Sequence, residues 1–462
     1  MINTAFLDQL ASARSDADFS RTSAGLAVLQ VYDSVKSNGY DPGVHLDVLK
    51  RLAHEIAAID NAPRLRSALD SVVQVLPYWN SDGYVRVGRK ATYTALLTYG
   101  QALGDEGEWT IAESVYALVG LDSELDGETW LAAEARLLMG RASRMIADWE
   151  SSRIAYQRAY ELGLESGDPA IAVRARIGEA NNLWVRGDFP AARKLLRSTE
   201  RLARKICPQV LPRITLALAG VANAAGEYER AIQIAFDLVQ SLDDDHELAH
   251  PALVDLAIFL TDYGLPPVAA AALRMVERAA PEPRIRRMAR LNLFFLAAHH
   301  GSEAEFDERR TLLRAEPLPV RDTVQFSLFS AQGLRRFGRL DEARSEAARA
   351  AELANRYEQY QLAFEAEAEA IAISKSSADA ADAADAADAA DAADAADSIA
   401  TNDVQPLTTE PEKFDAAAGN RNAGGGLSWS GSSPLPRRIR RVAESLTRMS
   451  SERFAPFHVE TE

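Results

Sequence analysis

The sequence predicts an all-α protein built as a solenoid of about seven helical hairpins. Short stretches that open with a small residue and lead into an amphipathic helix recur through the chain. They begin at Gly107, Ala147, Gly187, Gly226, Gly264, Gly301 and Gly338, with spacings of 40, 40, 39, 38, 37 and 37 residues. A fixed period of this size is typical of a solenoid. Hydrophobic residues make up 47% of the chain and aromatic residues only 7%, a balance that favours helices.

The stretch "VRGDFPAARKLL" (Val185–Leu196) shows the repeated element. Gly187 and Pro190 interrupt what would otherwise be one amphipathic helix. Glycine permits a tight turn, and proline suits the first turn of a helix, where its missing N–H is not needed. The stretch therefore predicts two antiparallel helices, which must stack on neighbouring hairpins to bury their apolar faces.

Alanine follows the small residue by five positions in five of the seven copies: Ala112, Ala192, Ala231, Ala269 and Ala343. We expect the two helices of a hairpin to cross closely at this alanine, because a larger side chain would push them apart.

These residues resemble the tetratricopeptide repeat family. Small residues stand at the eighth position of that pattern (Gly100, Gly140) and aromatic residues at the twenty-fourth (Tyr116, Tyr156). The resemblance covers about residues 84–370, with a period of 37–40 residues that is similar to the long-helix arrays of bacterial signalling proteins. It implies a right-handed α-solenoid whose first helices line a concave, partner-binding face. Phe306 and Arg310 replace small and apolar residues in the sixth copy, so we expect that copy to pack irregularly.

Residues 1–80 read as helices separated by turns and predict a helical cap packed on the array, or one or two degenerate repeats. After the array, residues 374–436 predict a low-complexity acidic spacer and a disordered, flexible linker. Aspartate stands at every third position from Asp379 to Asp397, which leaves no apolar helix face. This segment is either a plain spacer or an acidic tether for a basic partner.

Residues 437–462 predict a basic amphipathic segment, with its helix at Arg437–Met449. Its apolar face and its arginines leave three alternatives open: docking on its own acidic chain, contact with a partner or a membrane surface, or no fixed structure.

Several functional classes are disfavoured. The net charge of −16 argues against nucleic-acid binding by the array. A single cysteine, Cys207, excludes an internal disulfide. No signal peptide or long apolar run is present, so we expect a cytoplasmic protein. No phosphate-binding, metal-binding or nucleophile motif occurs, so we expect neither an enzyme nor a cofactor.

The resemblance places a set of polar and aromatic residues on the concave face. They are Arg141, Arg144, Arg174, Asn181, Trp184, Arg213, Asn223, Arg335 and Arg336, with Gln332 beside the last two. Asparagine can clamp a peptide backbone, and arginine can bind a carboxylate bidentately. The alternative is that these side chains are solvated or pair with acids of adjacent helices.

The sequence therefore predicts a non-catalytic scaffold or adaptor that binds a protein or peptide on its concave face. One alternative is a peptide-responsive regulatory sensor of the bacterial signalling type. The other, less favoured, is an enzyme whose site is built on the array.

Overall fold

The computed structural model describes residues 2–13, 16–60, 62–80, 85–316, 318–357, 359, 361–379 and 436–452. All regular secondary structure in these ranges is helical. Most of the predicted acidic spacer and all of the predicted flexible linker lie outside the described residues, as does the end of the predicted basic segment.

Four helices precede the array. They are α1 (Ile2–Ser12), α2 (Asp16–Asn38), α3 (Pro42–Ala57) and α4 (Pro63–Val75), followed by one 3₁₀ turn at Leu76–Tyr78. Helix α4 packs on the first helix of the array, and α1 packs on the second. One apolar core continues from these helices into the first hairpins of the array.

Seven hairpins follow, and the predicted all-α solenoid is confirmed. Their helices are α5 (Val85–Asp105), α6 (Trp109–Leu125), α7 (Thr129–Met145), α8 (Trp149–Glu165), α9 (Pro169–Val185), α10 (Phe189–Ile206), α11 (Leu211–Ala224), α12 (Tyr228–Ser241), α13 (Ala249–Asp262), α14 (Pro266–Ala279), α15 (Pro283–His300), α16 (Glu303–Arg314), α17 (Val320–Arg336) and α18 (Leu340–Arg356). A second 3₁₀ turn, Pro208–Val210, precedes α11. A further helix, α19, covers residues 361–379 and packs on the last hairpin.

The hairpin turns need a left-handed backbone. Gly187 has φ of 81°, a conformation that costs other residues a steric penalty. In the second hairpin Ala147 takes this position at φ of 60°, the one positive φ of a non-glycine residue within the described ranges. At six of the seven predicted breaks the small residue therefore meets a requirement of the turn, whereas Gly301 has φ of −82° and does not adopt this conformation.

Small residues also let the paired helices approach. All five alanines that follow the turns are fully buried. A Cβ added at Gly100 would lie 2.5 Å from the ring of Tyr116, so the ring fills the space that the glycine leaves. The close crossing that the repeat pattern predicts is therefore present in the structure.

The sixth hairpin departs from the pattern, and its neighbours compensate. Phe306 is fully buried and stacks on Phe294, with 5.3 Å between ring centroids. Gly333 makes room for it, because a Cβ there would lie 2.2 Å from the Phe306 ring. Arg310 is buried in an ion pair with Glu346, at 3.0 Å between Nη2 and Oε1. Apart from α18 in its own hairpin, α17 packs on α15 rather than on α16, which is the irregularity that the sequence predicts.

The last described helix, α20 (Arg437–Glu452), lies between α12 and α14, the second helices of two hairpins. Its apolar face of Ile439, Val442, Leu446 and Met449 is buried in the core that those helices share. Met449 Sδ lies 3.0 Å from Nε2 of Gln240. Of the three alternatives for this segment, the structure shows docking on its own chain, with the apolar face buried against α12 and α14.

The array curls until its last hairpins meet its first. Arg356, at the end of α18, forms an ion pair with Asp18 on α2. The turn between α5 and α6 lies against the start of α17, because a Cβ on Gly107 would be 3.4 Å from Cβ of Val320. We call this contact between the two ends of the array the closure.

Replacing Ala231 by leucine should lower the free energy of unfolding by about 1–3 kcal/mol, because the closely packed crossing cannot accept three more carbon atoms. Ala348→Leu is the matched control, since Ala348 is exposed on α18. Urea unfolding of both variants tests this. Equal stability of the two variants would mean that the repeat register is wrong.

The closure should weaken as pH rises. Burial raises the pKa of Glu108 to about 7, with Arg21 and Arg356 opposing the shift and Asp18 adding to it. Gln9 Nε2 donates to Glu108 Oε2 over 2.8 Å. Because the folded-state pKa exceeds the unfolded value, folding favours the protonated carboxyl. The stabilisation of the fold by the protonated Glu108 carboxyl is therefore complete below the unfolded pKa of about 4.5. It is lost as pH rises through about 7, the folded-state pKa.

Glu108→Gln mimics the protonated carboxyl and should stabilise the protein at pH 8 by about 1–3 kcal/mol. The gain should shrink at pH 5, where the native carboxyl is already protonated. Urea unfolding at both pH values measures it, and Glu367→Gln, at an exposed position of α19, controls for the loss of one carboxylate. No gain at pH 8 would show that Glu108 is not buried at the closure.

Candidate binding site

A cavity of about 490 Å³ runs along the concave side of the array. We call it the concave cavity. Four successive first helices, α7, α9, α11 and α13, supply nearly all of its lining. The lining residues are Leu137, Leu138, Arg141, Arg144, Tyr156, Arg174, Ile177, Gly178, Asn181, Trp184, Arg213, Leu216, Ala217, Gly220, Asn223, Leu248, Asp255, Ile258 and Phe259.

Two glycines shape the floor of this cavity. A Cβ on Gly178 would lie 2.3 Å from the Tyr156 ring, and one on Gly220 would lie 3.1 Å from the Trp184 ring. The aromatic rings therefore lie flat against neighbouring backbone, and the helices they join stay close together. The result is a continuous wall across hairpins two to five.

Seven of the nine residues expected on the concave face line the concave cavity. They are Arg141, Arg144, Arg174, Asn181, Trp184, Arg213 and Asn223. The other two, Arg335 and Arg336, are outside its lining.

Three of the seven bond to acids of a neighbouring first helix or loop. Arg174 forms a bidentate pair with Glu134, with N–O distances of 3.1 and 3.0 Å. Arg213 Nη2 lies 2.9 Å from Glu247 Oε1. Asn223 Nδ2 donates to an oxygen of Asp262 over 2.6 Å. These side chains follow the alternative in which concave residues pair with their neighbours.

Arg335 and Arg336 hold the last hairpins together. Arg335 Nε lies 2.6 Å from Oε1 of Glu369, a buried carboxylate on α19. Arg336 donates to the carbonyl oxygen of Gly301 over 2.9 Å. Gln332 bonds to His299 at 3.0 Å. Since these residues are occupied by the packing of α15, α17 and α19, we do not assign them to the binding site.

Asn181, Arg141 and Arg144 differ from the residues above in that they have no polar partner in the described structure. Within the described residues, the Asn181 amide makes no hydrogen bond and neither arginine has a carboxylate within 4 Å. Arg141 lies over the Trp109 ring at 5.6 Å. Burial, and then repulsion from Arg144, lowers the pKa of Arg141, although an arginine stays charged. This end of the cavity is therefore cationic and unbalanced.

The opposite end carries a carboxylate that sequence reasoning missed. Asp255 on α13 lines the cavity beside Ile258 and Phe259. Burial raises the pKa of Asp255 to about 6. The sequence did contain a signal for this residue, since Asp255 is the one acid in the apolar stretch "ALVDLAIFL". Burying a carboxylate among core-forming residues is unfavourable unless a ligand or a partner binds it.

The concave cavity thus has a cationic end, an acidic end and an apolar middle with an amide donor and acceptor at Asn181.

No group of three or more His, Cys, Asp or Glu in the described ranges could hold a metal ion. Nor is any helix there long and apolar enough to cross a membrane.

No family model matches the sequence, and no curated protein matches it. Among solved structures, the chain is similar to a Rap protein complexed with competence and sporulation factor, at 13% identity and a TM-score of 0.42, over 77% of this chain and 99% of that one. It is also similar to the Rap conjugation gene regulator of the plasmid pLS20 in complex with the Phr* peptide, at 14% identity and a TM-score of 0.46, over 74% and 97% of the two chains. The apo form of RapI matches at 13% identity and a TM-score of 0.40, over 75% and 98%. At these identities and TM-scores the likeness assigns no ligand to this chain.

Proposed function

We propose that this chain is a non-catalytic binding protein that holds a short peptide in the concave cavity. The observation that supports this most is the polarity of the cavity. Unpaired cations at Arg141 and Arg144 lie at one end, and a carboxylate, Asp255, lies at the other. An extended peptide carries groups of both signs and a backbone between them, and it fits this arrangement.

Each part of the cavity has a role in this proposal. Arg141 and Arg144 bind a carboxylate of the peptide, and Asp255 binds an amine or a basic side chain. Asn181 bonds to the peptide backbone through its amide donor and acceptor. An apolar side chain lies between Trp184 and Phe259, both of which line the cavity.

Three further inferences from the sequence stay proposals. Membership of the tetratricopeptide repeat family rests on the repeat pattern, and a cytoplasmic location rests on the sequence-based expectation alone. Contact of the exposed arginines of α20 with a partner or a membrane surface also stays a proposal.

The second candidate is a peptide-responsive regulatory sensor. The closure favours it, since hairpins that line the concave cavity belong to the same curled array that contacts α2 through Arg356 and Asp18. A ligand that changed the curvature of the array would therefore act on the N-terminal helices. A scaffold would bind its partner without such a change.

Asn181→Ala and Arg141→Ala should each weaken peptide binding by about 1–3 kcal/mol, the usual loss for hydrogen bonds to buried or charged groups. The arginine effect should fall at high salt and the asparagine effect should persist, because only the first has a long-range part. The peptide is obtained by mass spectrometry of molecules retained by the purified chain from source lysate. It is then synthesised for calorimetry at two salt concentrations.

Asn355→Ala is the matched control, because Asn355 is exposed at the end of α18 and lies outside the cavity lining. It should bind the peptide as the wild type does. If Asn181→Ala and Arg141→Ala also bind with unchanged affinity, the peptide lies elsewhere and the proposal is wrong.

A further inference from the structure

A second cavity lies where the array closes on itself. It has a volume of about 450 Å³, and we call it the closure cavity. Hairpin two supplies Arg144 and Trp149, and hairpin three supplies Val185. The other end of the array supplies Arg321, Gln325, Gln359 and Glu365. Arg144 and Arg321, which are 177 positions apart in sequence, therefore face one space.

Gln359 carries an unsatisfied amide in this wall. Its side chain is buried, with 8% of its surface exposed, and neither Nε2 nor Oε1 has a hydrogen-bond partner in the described structure. Nε of Arg144 is buried without a partner as well. Buried polar groups of this kind destabilise the fold when nothing bonds to them. A ligand with oxygen atoms would remove that cost.

The two arginines of the closure cavity are also unbalanced. Among the described residues, neither Arg144 nor Arg321 has a carboxylate within 4 Å. By contrast, Arg287 on the helix next to α17 pairs with Asp322 at 2.6 Å. Glu365, the one carboxylate in the cavity's lining, accepts a hydrogen bond from Gln361 over 3.1 Å.

Electrostatics agree with the geometry. Burial lowers the pKa of Arg321, Asp322 opposes the shift, and repulsion from Arg144 and Arg141 adds to it. Arginine stays charged in spite of such shifts. The closure therefore brings together like charges that a bound anion would neutralise.

We propose that the closure cavity is a binding site for a small organic carboxylate, held between Arg144 and Arg321 with the Gln359 amide as an additional donor. Guanidinium groups bind a carboxylate bidentately, and two of them from opposite ends of the array would be joined by one ligand. Arg144 lines both cavities, whereas Arg321 and Gln359 line the closure cavity alone, so Arg321→Gln tests this site without changing the lining of the proposed peptide site. Its occupation stabilises the closure.

Calorimetry of the full chain with acetate, succinate and citrate, at ionic strength held constant with sodium chloride, tests this. We expect at least one of the three to bind, and Arg321→Gln and Arg144→Gln each to weaken that binding about tenfold or more. Arg51→Gln, at an exposed position of α3 outside the lining, should bind as the wild type does. Inorganic phosphate, run in parallel, should bind more weakly than the best carboxylate.

The apo stability of Arg321→Gln is the second readout. Arg321 makes no ion pair within the described residues, and burial and repulsion from Arg144 and Arg141 lower its pKa, so its loss should leave urea unfolding nearly unchanged or shift it to higher urea. Arg321→Lys keeps the charge but loses the bidentate geometry, so it should fold normally and bind less tightly.

Three results would overturn the proposal. The first is that none of the three carboxylates binds the wild type, and the second is that phosphate binds more tightly than all three carboxylates. The third is that the arginine variants bind the carboxylate as tightly as the wild type does. Peptide affinity of Asn181→Ala is measured separately, so either proposal can fail without the other.

Discussion

The contact between the α5–α6 turn and the start of α17 determines the rest of the architecture. Seven hairpins that did not meet would leave an open arc. Here Gly107 lies against Val320, and Arg356 reaches Asp18 on α2. This return of the chain places Arg144 and Arg321 in the wall of one cavity. It also buries Glu108 enough to raise its pKa to about 7.

Local features of the fold were predictable because they depend on neighbours in sequence. The turn at Gly187 needs a left-handed backbone, and Ala231 marks a close crossing within its own hairpin, so a repeat pattern reveals both. The closure was not predictable, because it depends on small rotations that accumulate over seven hairpins. The sequence predicted that the sixth hairpin departs from the repeat pattern. It did not predict that Gly333 makes room for the Phe306 ring, because that depends on which helix packs beside the hairpin.

In the candidate site, too, features set by the repeat were predictable and features set by packing between helices were not. Register along the first helices placed Arg141 and Asn181 on the concave face, and both line the concave cavity. Which arginines would be paired was not predictable, because the Arg174–Glu134 pair depends on the offset between adjacent helices. Arg335 stands three residues before its turn, as Arg144 does in the second hairpin, but it bonds to α19, which has no counterpart in earlier hairpins. Position within a repeat therefore predicts which way a side chain faces, but it does not predict whether that side chain is free to bind a ligand or is paired with a neighbour.

Disulfide trapping of the closure tests the central claim most directly. In the Gly107→Cys, Val320→Cys double variant the two Cβ atoms would lie about 3.4 Å apart, close to the separation in natural disulfides, and the native Cys207 is fully buried. Gly127→Cys with Val320→Cys is the control, because Gly127 has a similar positive φ but no atom within 4 Å of an added Cβ. Peptide mass mapping after mild oxidation should find the cross-link in monomers of the first variant and not of the second. Equal cross-linking in both, or none in the first, would contradict a closed array.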